Sequence, residues 1–361
     1  MKRIAITGGG TGGHVYPALA VYEELKKRGY SDFYWIGSSR GMERNIIKNW
    51  DIPYYGIPSG KLRRYISLEN IIDVFRIAAG FFRALRVLIK RPPDILFSKG
   101  GYVSVPPVIA AKILKIPVVS HESDADPGLA TKINARFSDK IAVPYSSTKR
   151  CFPNTLHSKI TVTGNPIRSD IQKGDAEYGR KLVGAPSGKR ILLVMGGSQG
   201  ARQINTLISE VRDSLTSYWF VVHQMGRREF KPVQAQDYFA APYFSDEYAH
   251  LLRAADLVVS RSGAGALWEC AAAGKPMVLI PLLGSATRGD QAKNADIFEK
   301  AGAAIVLSGS ACTPEAFIKT IHTLWEDTKK LQTMAEASAC FKAEKAAAAL
   351  AKLIENTMNG R

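Results

Sequence analysis

The sequence predicts an α/β protein of two domains, each built on a parallel sheet, and three observations carry that prediction. A chain of 361 residues is about twice the ~150 that one domain usually takes, and its 46% hydrophobic content suffices for two cores. Short apolar runs alternate with amphipathic stretches, the pattern of strands buried on both faces between helices. That pattern then recurs, so the second half of the chain restates the plan of the first.

Ile4-Ala5-Ile6 reads as the first strand. It runs into Gly8-Gly9-Gly10-Thr11-Gly12-Gly13 and then a helix from near Pro17, whose Ala18, Val21, Tyr22 and Leu25 are spaced i, i+3, i+4, i+7 and which Gly29 closes. Phe33-Tyr34-Trp35-Ile36 is the next strand, and Ile95-Leu96-Phe97 leads through Ser98-Lys99-Gly100-Gly101-Tyr102 and a helix to the strand Val118-Val119. The turn-forming cluster Thr163-Gly164-Asn165-Pro166 marks the domain boundary. In the second half, Ile191-Leu192-Leu193-Val194-Met195 precedes Gly196-Gly197-Ser198-Gln199-Gly200 and a helix carrying Ile204, Leu207, Ile208 and Val211. Leu257-Val258-Val259, Ser260-Arg261-Ser262-Gly263, a helix and Val278-Leu279-Ile280 complete the match. The expected domains are residues 1–163 and 164–340, with the alanine-rich tail 341–361 as a helix packing back toward the first.

The charge is unbalanced: 49 Lys+Arg against 32 Asp+Glu leaves +17, which suits nucleic acid, an anionic membrane surface or a phosphorylated small molecule. Four cysteines without CxxC spacing indicate neither a zinc knuckle nor a disulfide framework, and fit a reducing cytosol. The apolar run before the first glycines is too short for a secretory signal, and the longest apolar tract is broken by Pro106, Pro107, Lys112 and Lys115, too early to span a bilayer.

Gly8-x-Gly10-x-x-Gly13 matches the dinucleotide fingerprint. That fingerprint also needs an acid at the end of the second strand to hold the ribose, and here Gly37-Ser38-Ser39-Arg40 follows Ile36. Neither does a Walker sequence occur at these loops. What remains is a helix N-terminus with free N–H groups, which is a phosphate site or a tight strand-to-helix turn. Ligands of parallel sheets sit beyond the carboxyl ends of the strands, where all four loops fall.

Gly8 through Pro17, Gly196 through Arg202, Arg261-Ser262-Gly263-Ala264 through Glu269, Ser98 through Tyr102, His121-Glu122 and Gly164 through Arg168 closely resemble the corresponding motifs of the MurG family. These are the N-acetylglucosaminyltransferases that convert lipid I to lipid II in bacterial peptidoglycan synthesis. The resemblance runs through nearly the whole chain. It implies a GT-B fold, two Rossmann-like domains facing across a cleft, and an inverting mechanism with neither cofactor nor required metal. UDP-N-acetylglucosamine is then the donor and undecaprenyl-diphosphoryl-MurNAc-pentapeptide the acceptor. The implied location is the cytoplasmic side of the bacterial cell membrane, as a peripheral protein alongside other cell-wall synthesis and division proteins.

His14, beside the first glycine loop, is the candidate catalytic base: a neutral imidazole could take the acceptor hydroxyl proton, or simply hydrogen-bond a loop carbonyl. By resemblance, Glu269 accepts the ribose hydroxyls, and Thr11, Gly12, Gly13, Ser198, Gln199, Gly200, Ala264 and Leu267 line the donor. Arg168 can neutralise diphosphate charge or form a surface salt bridge; Gln291 and Asn294 can hydrogen-bond the sugar hydroxyls or cap a helix. The resemblance assigns Gly9, Gly10, Gly100, Gly101, Tyr102, His121, Glu122 and Asp124 to the acceptor. Asp124-Ala125-Asp126 imitates a metal-binding Asp-x-Asp, but Pro127-Gly128 makes it a turn, and position 125 denies His121-Glu122 the second histidine of a zinc motif.

Between 67 and 92, Phe75, Phe81, Phe82 and other apolar residues interleave with Arg76, Arg83, Arg86, Lys90 and Arg91, after Lys61, Arg63, Arg64 and Tyr65. Such a segment suits an interfacial helix with one face on the core and an exposed apolar patch among cations. It favours a lipid surface over nucleic acid, for which no RRM, KH or zinc motif occurs. A diacylglycerol glycosyltransferase or a UDP-N-acetylglucosamine 2-epimerase of the same fold are the competing enzymes.

Overall fold

A computed structural model describes residues 2–60, 68–197, 200–284 and 287–360, and the side chains of all of these except 68–72. Lys61, Arg63, Arg64, Tyr65, Ser198 and Gln199 thus lie outside the described residues. Contacts divide the chain into two compact units, Met1–Arg168 with Lys345–Arg361, and Ser169–Glu344.

The first unit runs β1 (Arg3–Thr7), α1 (Gly12–Lys27), β2 (Asp32–Ser38), α2 (Glu43–Ile47), β3 (Tyr54–Ile57), α3 (Leu68–Lys90), β4 (Ile95–Ser98), α4 (Val105–Ile113), β5 (Val118–His121), α5 (Leu129–Phe137), β6 (Lys140–Val143) and β7 (Ile160–Val162). Its seven strands are ordered β3-β2-β1-β4-β5-β6-β7 and every pairing is parallel. Alternate residues serve opposite faces. Ile4, Ile6, Phe33, Trp35 and Phe97 pack under α1, while Ala5, Tyr34, Ile36, Leu96 and Val118 pack under α3 and α4. Both faces are covered, which is why these strands read as apolar runs rather than as alternating ones.

The second unit runs α6 (Ala176–Val183), β8 (Ile191–Met195), α7 (Arg202–Thr216), β9 (Phe220–Gln224), β10 (Tyr238–Ala241), α8 (Tyr248–Ala254), β11 (Leu257–Ser260), α9 (Ala264–Ala272), β12 (Met277–Leu279), α10 (Asp290–Lys300), β13 (Ala304–Val306), α11 (Pro314–Glu326) and α12 (Thr328–Ala339). Its six strands are ordered β10-β9-β8-β11-β12-β13, again all parallel. In both sheets the strand order reverses beside the first strand, between β1 and β4 and between β8 and β11. Parallel sheets bind ligands at such switch points. All four glycine loops of the sequence therefore leave strands that flank a switch point.

Three boundaries differ from the sequence expectation. Helix α1 starts at Gly12 rather than near Pro17, so His14 lies in its first turn. Pro17 sits inside, where its missing N–H costs one bond to the Gly13 carbonyl. The unit boundary falls after Arg168 rather than after Thr163, because Gly164 and Asn165 are tied into the first unit: His121 Nε2 lies 2.9 Å from the Gly164 carbonyl, and Ser123 Oγ donates to Asn165 Oδ1 at 3.1 Å. At the other end, Phe341 stacks on Phe298 with centroids 4.1 Å apart and stays with the second unit. The last helix, α13 (Ala346–Asn359), belongs to the first unit, where Leu350 and Ile354 are fully buried against the α1 face of the sheet. Burial of each such side chain is worth ~1.5–3 kcal/mol, enough to hold this tail against fraying.

Candidate active site

In the first unit the loops after β1 and β4 pack directly on one another. Gly100 and Gly101 have φ of +88° and +80°, and a side chain on Gly101 would run into the Gly9 carbonyl. The His14 ring closes the other side: a Cβ on Gly101 would lie 3.2 Å from its Cδ2. The φ and the close approach together require glycine. Beneath them Asn134 Nδ2 donates to Ser98 Oγ and Ser104 Oγ at 3.2 and 2.7 Å, and Ser104 Oγ to the Gly101 carbonyl at 2.7 Å. His14, in the first turn of α1, therefore packs against a loop whose backbone is tied down by buried hydrogen bonds. Arg168 joins it from the far end of the unit, its guanidinium 5.4 Å from the ring centroid of Tyr16 on α1.

The first glycine loop also covers a carboxylate. Glu43, fully buried at the start of α2, accepts N–H groups from Gly10 at 3.1 Å and Ser38 at 2.8 Å, and occupies the space a Cβ on Gly9 would need. A phosphate ~6 Å from this carboxylate would be repelled by about 3 kcal/mol per charge at an effective dielectric of 20. Gly9 and Gly10 are thus built for packing, and the free amides are those at the N-terminus of α1, where Thr11 makes no side-chain cap.

The loop after β5 is held by its own acid. Glu122 is buried, and its carboxylate accepts N–H groups from Ser123 at 2.7 Å, Asp124 at 3.0 Å and Gly128 at 3.2 Å. Asp126 pairs with Lys132 at 3.6 Å. Asp124-Ala125-Asp126 is accordingly a turn organised around Glu122. Beside it lies Lys99, 1% exposed, whose ammonium donates to Ser123 Oγ. Burial lowers the Lys99 ammonium to about 8, against the opposing pull of Glu122 and Asp124. His121 is pushed well below the usual imidazole range by burial first and by the charges of Lys99 and His14 as well, with the Gly164 carbonyl opposing.

In the second unit, Gln224 at the end of β9 ties two loops: its Nε2 donates to the Gly197 carbonyl at 3.2 Å and its Oε1 accepts from Phe244 N at 3.0 Å. The loop after β11 is braced by Arg261, which donates to the Ile280 carbonyl and to Gln203 Oε1, both at 2.9 Å. Helix α9 then starts at Gly263 without a side-chain cap and with no acid in its first turn, and Gly263 and Gly265 face open space. An uncapped N-terminus of this kind is an anion site by its dipole and its free amides. Glu269 is half-buried on the same helix. Gln291 Oε1 accepts from Leu282 N at 2.9 Å, fixing the loop that precedes α10.

The glycosyltransferase family 28 N-terminal domain matches residues 4–143, and the family 28 C-terminal domain matches residues 191–353. A curated relative from Treponema denticola is 43% identical over 99% of this chain and 98% of its own length. It is named UDP-N-acetylglucosamine--N-acetylmuramyl-(pentapeptide) pyrophosphoryl-undecaprenol N-acetylglucosamine transferase. The chain belongs to glycosyltransferase family 28. A Clostridium perfringens relative with the same name is 41% identical over 91% of each chain. Among solved structures, MurG of Acinetobacter baumannii superposes with a TM-score of 0.75 at 26% identity, covering 99% of this chain and 100% of that one. A UDP-GlcNAc 2-epimerase from Neisseria meningitidis, at 16% identity, TM-score 0.68 and full coverage of both chains, shares the fold alone. The two parallel-sheet, Rossmann-like domains are those of the GT-B class.

For this family 28 chain the structure corrects several single-residue expectations. Gly10 gives its N–H to Glu43, and Gly9 is buried between Glu43 and Gly101. His121 and Glu122 are 1% and 3% exposed and serve their own loop. Leu267 and Asn294 are fully buried, and Asn294 Nδ2 donates to the Ser262 carbonyl at 3.2 Å, which ties α10 to the Arg261–Gly263 loop. Ala264 is also buried, leaving its backbone at the start of α9 as its contribution. Arg168 stands in the first unit, not the second. Phe81 packs against the core, whereas Phe75 and Phe82 are 71% and 67% exposed. His14 packs against Gly100 and Gly101, and Tyr102 lies against Gly10, on the loops after β1 and β4, while Asp124 sits on the loop after β5. Sequence reasoning missed Glu43 and Lys99; for Lys99 the signal available was a charge between the apolar strand Ile95–Ser98 and Gly100-Gly101, and for Glu43 there was none.

Proposed function

We propose that this chain transfers N-acetylglucosamine from UDP-N-acetylglucosamine to the C4 hydroxyl of MurNAc in undecaprenyl-diphosphoryl-MurNAc-pentapeptide, giving lipid II and UDP with inversion at the transferred carbon. The observation that carries this reading is the 43% identity, over 99% of the chain, to a transferase named for that reaction. In this reading the first unit binds the acceptor. His14 takes the proton from the C4 hydroxyl as the oxygen attacks C1 of the donor sugar and the bond to the diphosphate breaks. Its packing against Gly100 and Gly101 supports the role, because a base must be held within hydrogen-bond reach of its proton.

The second unit binds UDP. The uncapped start of α9 and the loop 196–200 receive the negative charge that develops on the leaving diphosphate, Glu269 accepts the ribose hydroxyls, and Gln291 presents its amide N–H to the sugar. Arg168 adds a fixed positive charge. Asp124 and Tyr102 border the acceptor sugar and its peptide.

The lipid-linked acceptor stays in a membrane, so the enzyme must reach it there. No helix of the described residues is long and apolar enough to cross a membrane. On α3, however, Val74, Phe75, Phe82 and Ile89 are exposed, and Arg83, Arg86, Lys90 and Arg91 line a recess of about 560 Å³ with Tyr55 and Val87. Exposed bulky side chains among cations support docking of α3 on an anionic cytoplasmic leaflet, at ~1 kcal/mol per cation. The deciding assay offers radiolabelled UDP-N-acetylglucosamine with lipid I, with diacylglycerol and with no acceptor. Label should enter lipid in the first arm alone; transfer to diacylglycerol, or epimerised donor without an acceptor, overturns the proposal.

A further inference from the structure

Lys99 is the one buried cation among the described residues, and nothing in the proposed chemistry uses it. Its backbone ends β4 and opens the Gly100-Gly101 loop, and its Cβ lies against Gly8 at the base of the first loop. Its ammonium donates to Ser123 Oγ, and Ser123 Oγ in turn donates to Asn165 Oδ1 at 3.1 Å. One side chain thereby links three segments distant in sequence: the Gly100-Gly101 loop against which His14 packs, the Glu122-centred turn and, through Ser123, the strap 164–168 that carries Arg168.

The surroundings are polar and incompletely paired. Asn165 Nδ2 and His121 Nδ1 are buried and meet no hydrogen-bond partner among the described residues. Leaving such groups unpaired is costly, and a buried ammonium without a counter-charge is costlier still, so an apolar residue would be the default here. The carboxylates that face Lys99 are Glu122, fixed by three backbone amides, and Asp124, on the rim of the same turn. Glu122 is satisfied without Lys99. In the acceptor reading Asp124 borders a diphosphate-bearing substrate, and the positive charge of Lys99 lies close enough to act on it.

We propose that Lys99 is a positioning residue for the acceptor: its buried ammonium tethers the turn 122–128 to the strap 164–168 through Ser123 and Asn165, and neutralises Asp124 so that the loop can face an anionic lipid-linked substrate. The inference rests on the acceptor reading of these loops. Its energetic signature is coupling between positions 99 and 124, because the two opposite charges attract, so the loss from removing both is smaller than the sum of the single losses.

Lys99→Met keeps the length of the side chain and deletes the charge. It should raise the acceptor KM at least 10-fold while the donor KM stays within about 2-fold, and Lys99→Met with Asp124→Asn should recover most of that loss. Ser123→Ala, a small change that removes the tether alone, should move the acceptor KM in the same direction and serves if Lys99→Met does not fold. Hydrogen exchange needs no substrate: in Lys99→Met the amides of Ser123, Asp124 and Gly128 should exchange at least 10-fold faster. Acceptor constants unchanged in both single variants, equal losses for donor and acceptor, or strictly additive effects at 99 and 124 would overturn the charge-balancing role. Unchanged exchange would overturn the tether even if lipid I proves to be the wrong acceptor, and absence of transfer by the unaltered chain would fail the functional reading separately.

Discussion

Replacing Glu43 by glutamine tests whether the first glycine loop is held from below. The carboxylate accepts two buried N–H groups, from Gly10 at 3.1 Å and Ser38 at 2.8 Å. Hydrogen bonds to a charged group contribute about 1.5–3 kcal/mol each, and a buried N–H left unmade costs about 1–3 kcal/mol. Glutamine keeps one acceptor, now neutral, and turns its NH₂ toward the other N–H. The loss should therefore be about 3 kcal/mol, which for a unit of this size lowers the melting midpoint by roughly 6–12 °C. The catalytic consequence should exceed the binding one. Gly9 lies between Glu43 and the Gly101 loop that seats His14, so a displaced carboxylate shifts the base, and a 1 Å misplacement can cost about 100-fold in turnover. Urea unfolding and steady-state transfer to lipid I read the two effects. A Glu43→Gln chain with an unchanged midpoint and normal kcat would refute the reasoning, since the carboxylate would then be a passive occupant of the space under Gly9.

His14→Ala should lower kcat at least 100-fold while UDP-N-acetylglucosamine still binds, as measured by calorimetry; near-normal turnover removes the base assignment. Phe75→Ser with Phe82→Ser should weaken partitioning into anionic vesicles at least about 100-fold, from ~1.5–3 kcal/mol for each of the two apolar side chains, with transfer to a detergent-solubilised acceptor preserved; unaltered partitioning sinks the α3 interface. Burial holds His223 at about 4, with Tyr238 Oη at 2.7 Å from its Nδ1 and Asn205 Oδ1 at 3.1 Å from its Nε2. The unfolded state therefore binds the extra proton between pH 6.5 and 4, and stability is present above that window and lost as pH falls through it, by about 3 kcal/mol. His121 acts with the same sign. Urea midpoints between pH 7 and 4 should show the fall, and His223→Gln should flatten it. Transfer in excess EDTA should proceed at the full rate; a loss restored by magnesium or manganese would make Asp124 and Asp126 metal ligands after all.

Much of the fold was legible because its signals are local. Ile191–Met195 is a strand in sequence and in structure, and the other expected strands differ by a residue or two at their ends. The start of α1 was misread because Pro17 usually opens a helix, and here the glycines and His14 before it are already helical. The site divides differently. His14, Thr11, Gly100, Gly101 and Glu269 could be named as candidates from loops and motifs, but whether a named residue points outward or inward is set by partners far along the chain. Glu122 looks like a ligand in sequence; three amides of its own turn consume it. Asn294 looks in sequence like a solvent-facing amide; it is fully buried and its Nδ2 donates to the Ser262 carbonyl.

By itself the sequence determined the alternation of strands and helices, the duplication of the plan and the four glycine loops, because periodicity and backbone freedom are properties of neighbouring residues. It also determined the family, through motifs long enough to be specific. Only the tertiary structure decided that these loops leave strands flanking the two switch points, that Glu43 and Lys99 are sealed beneath them, and that α13 closes the first unit. Those outcomes depend on strand order and on which charges the packing cuts off from water, and burial becomes a property of a residue only once the distant segments that cover it are in place.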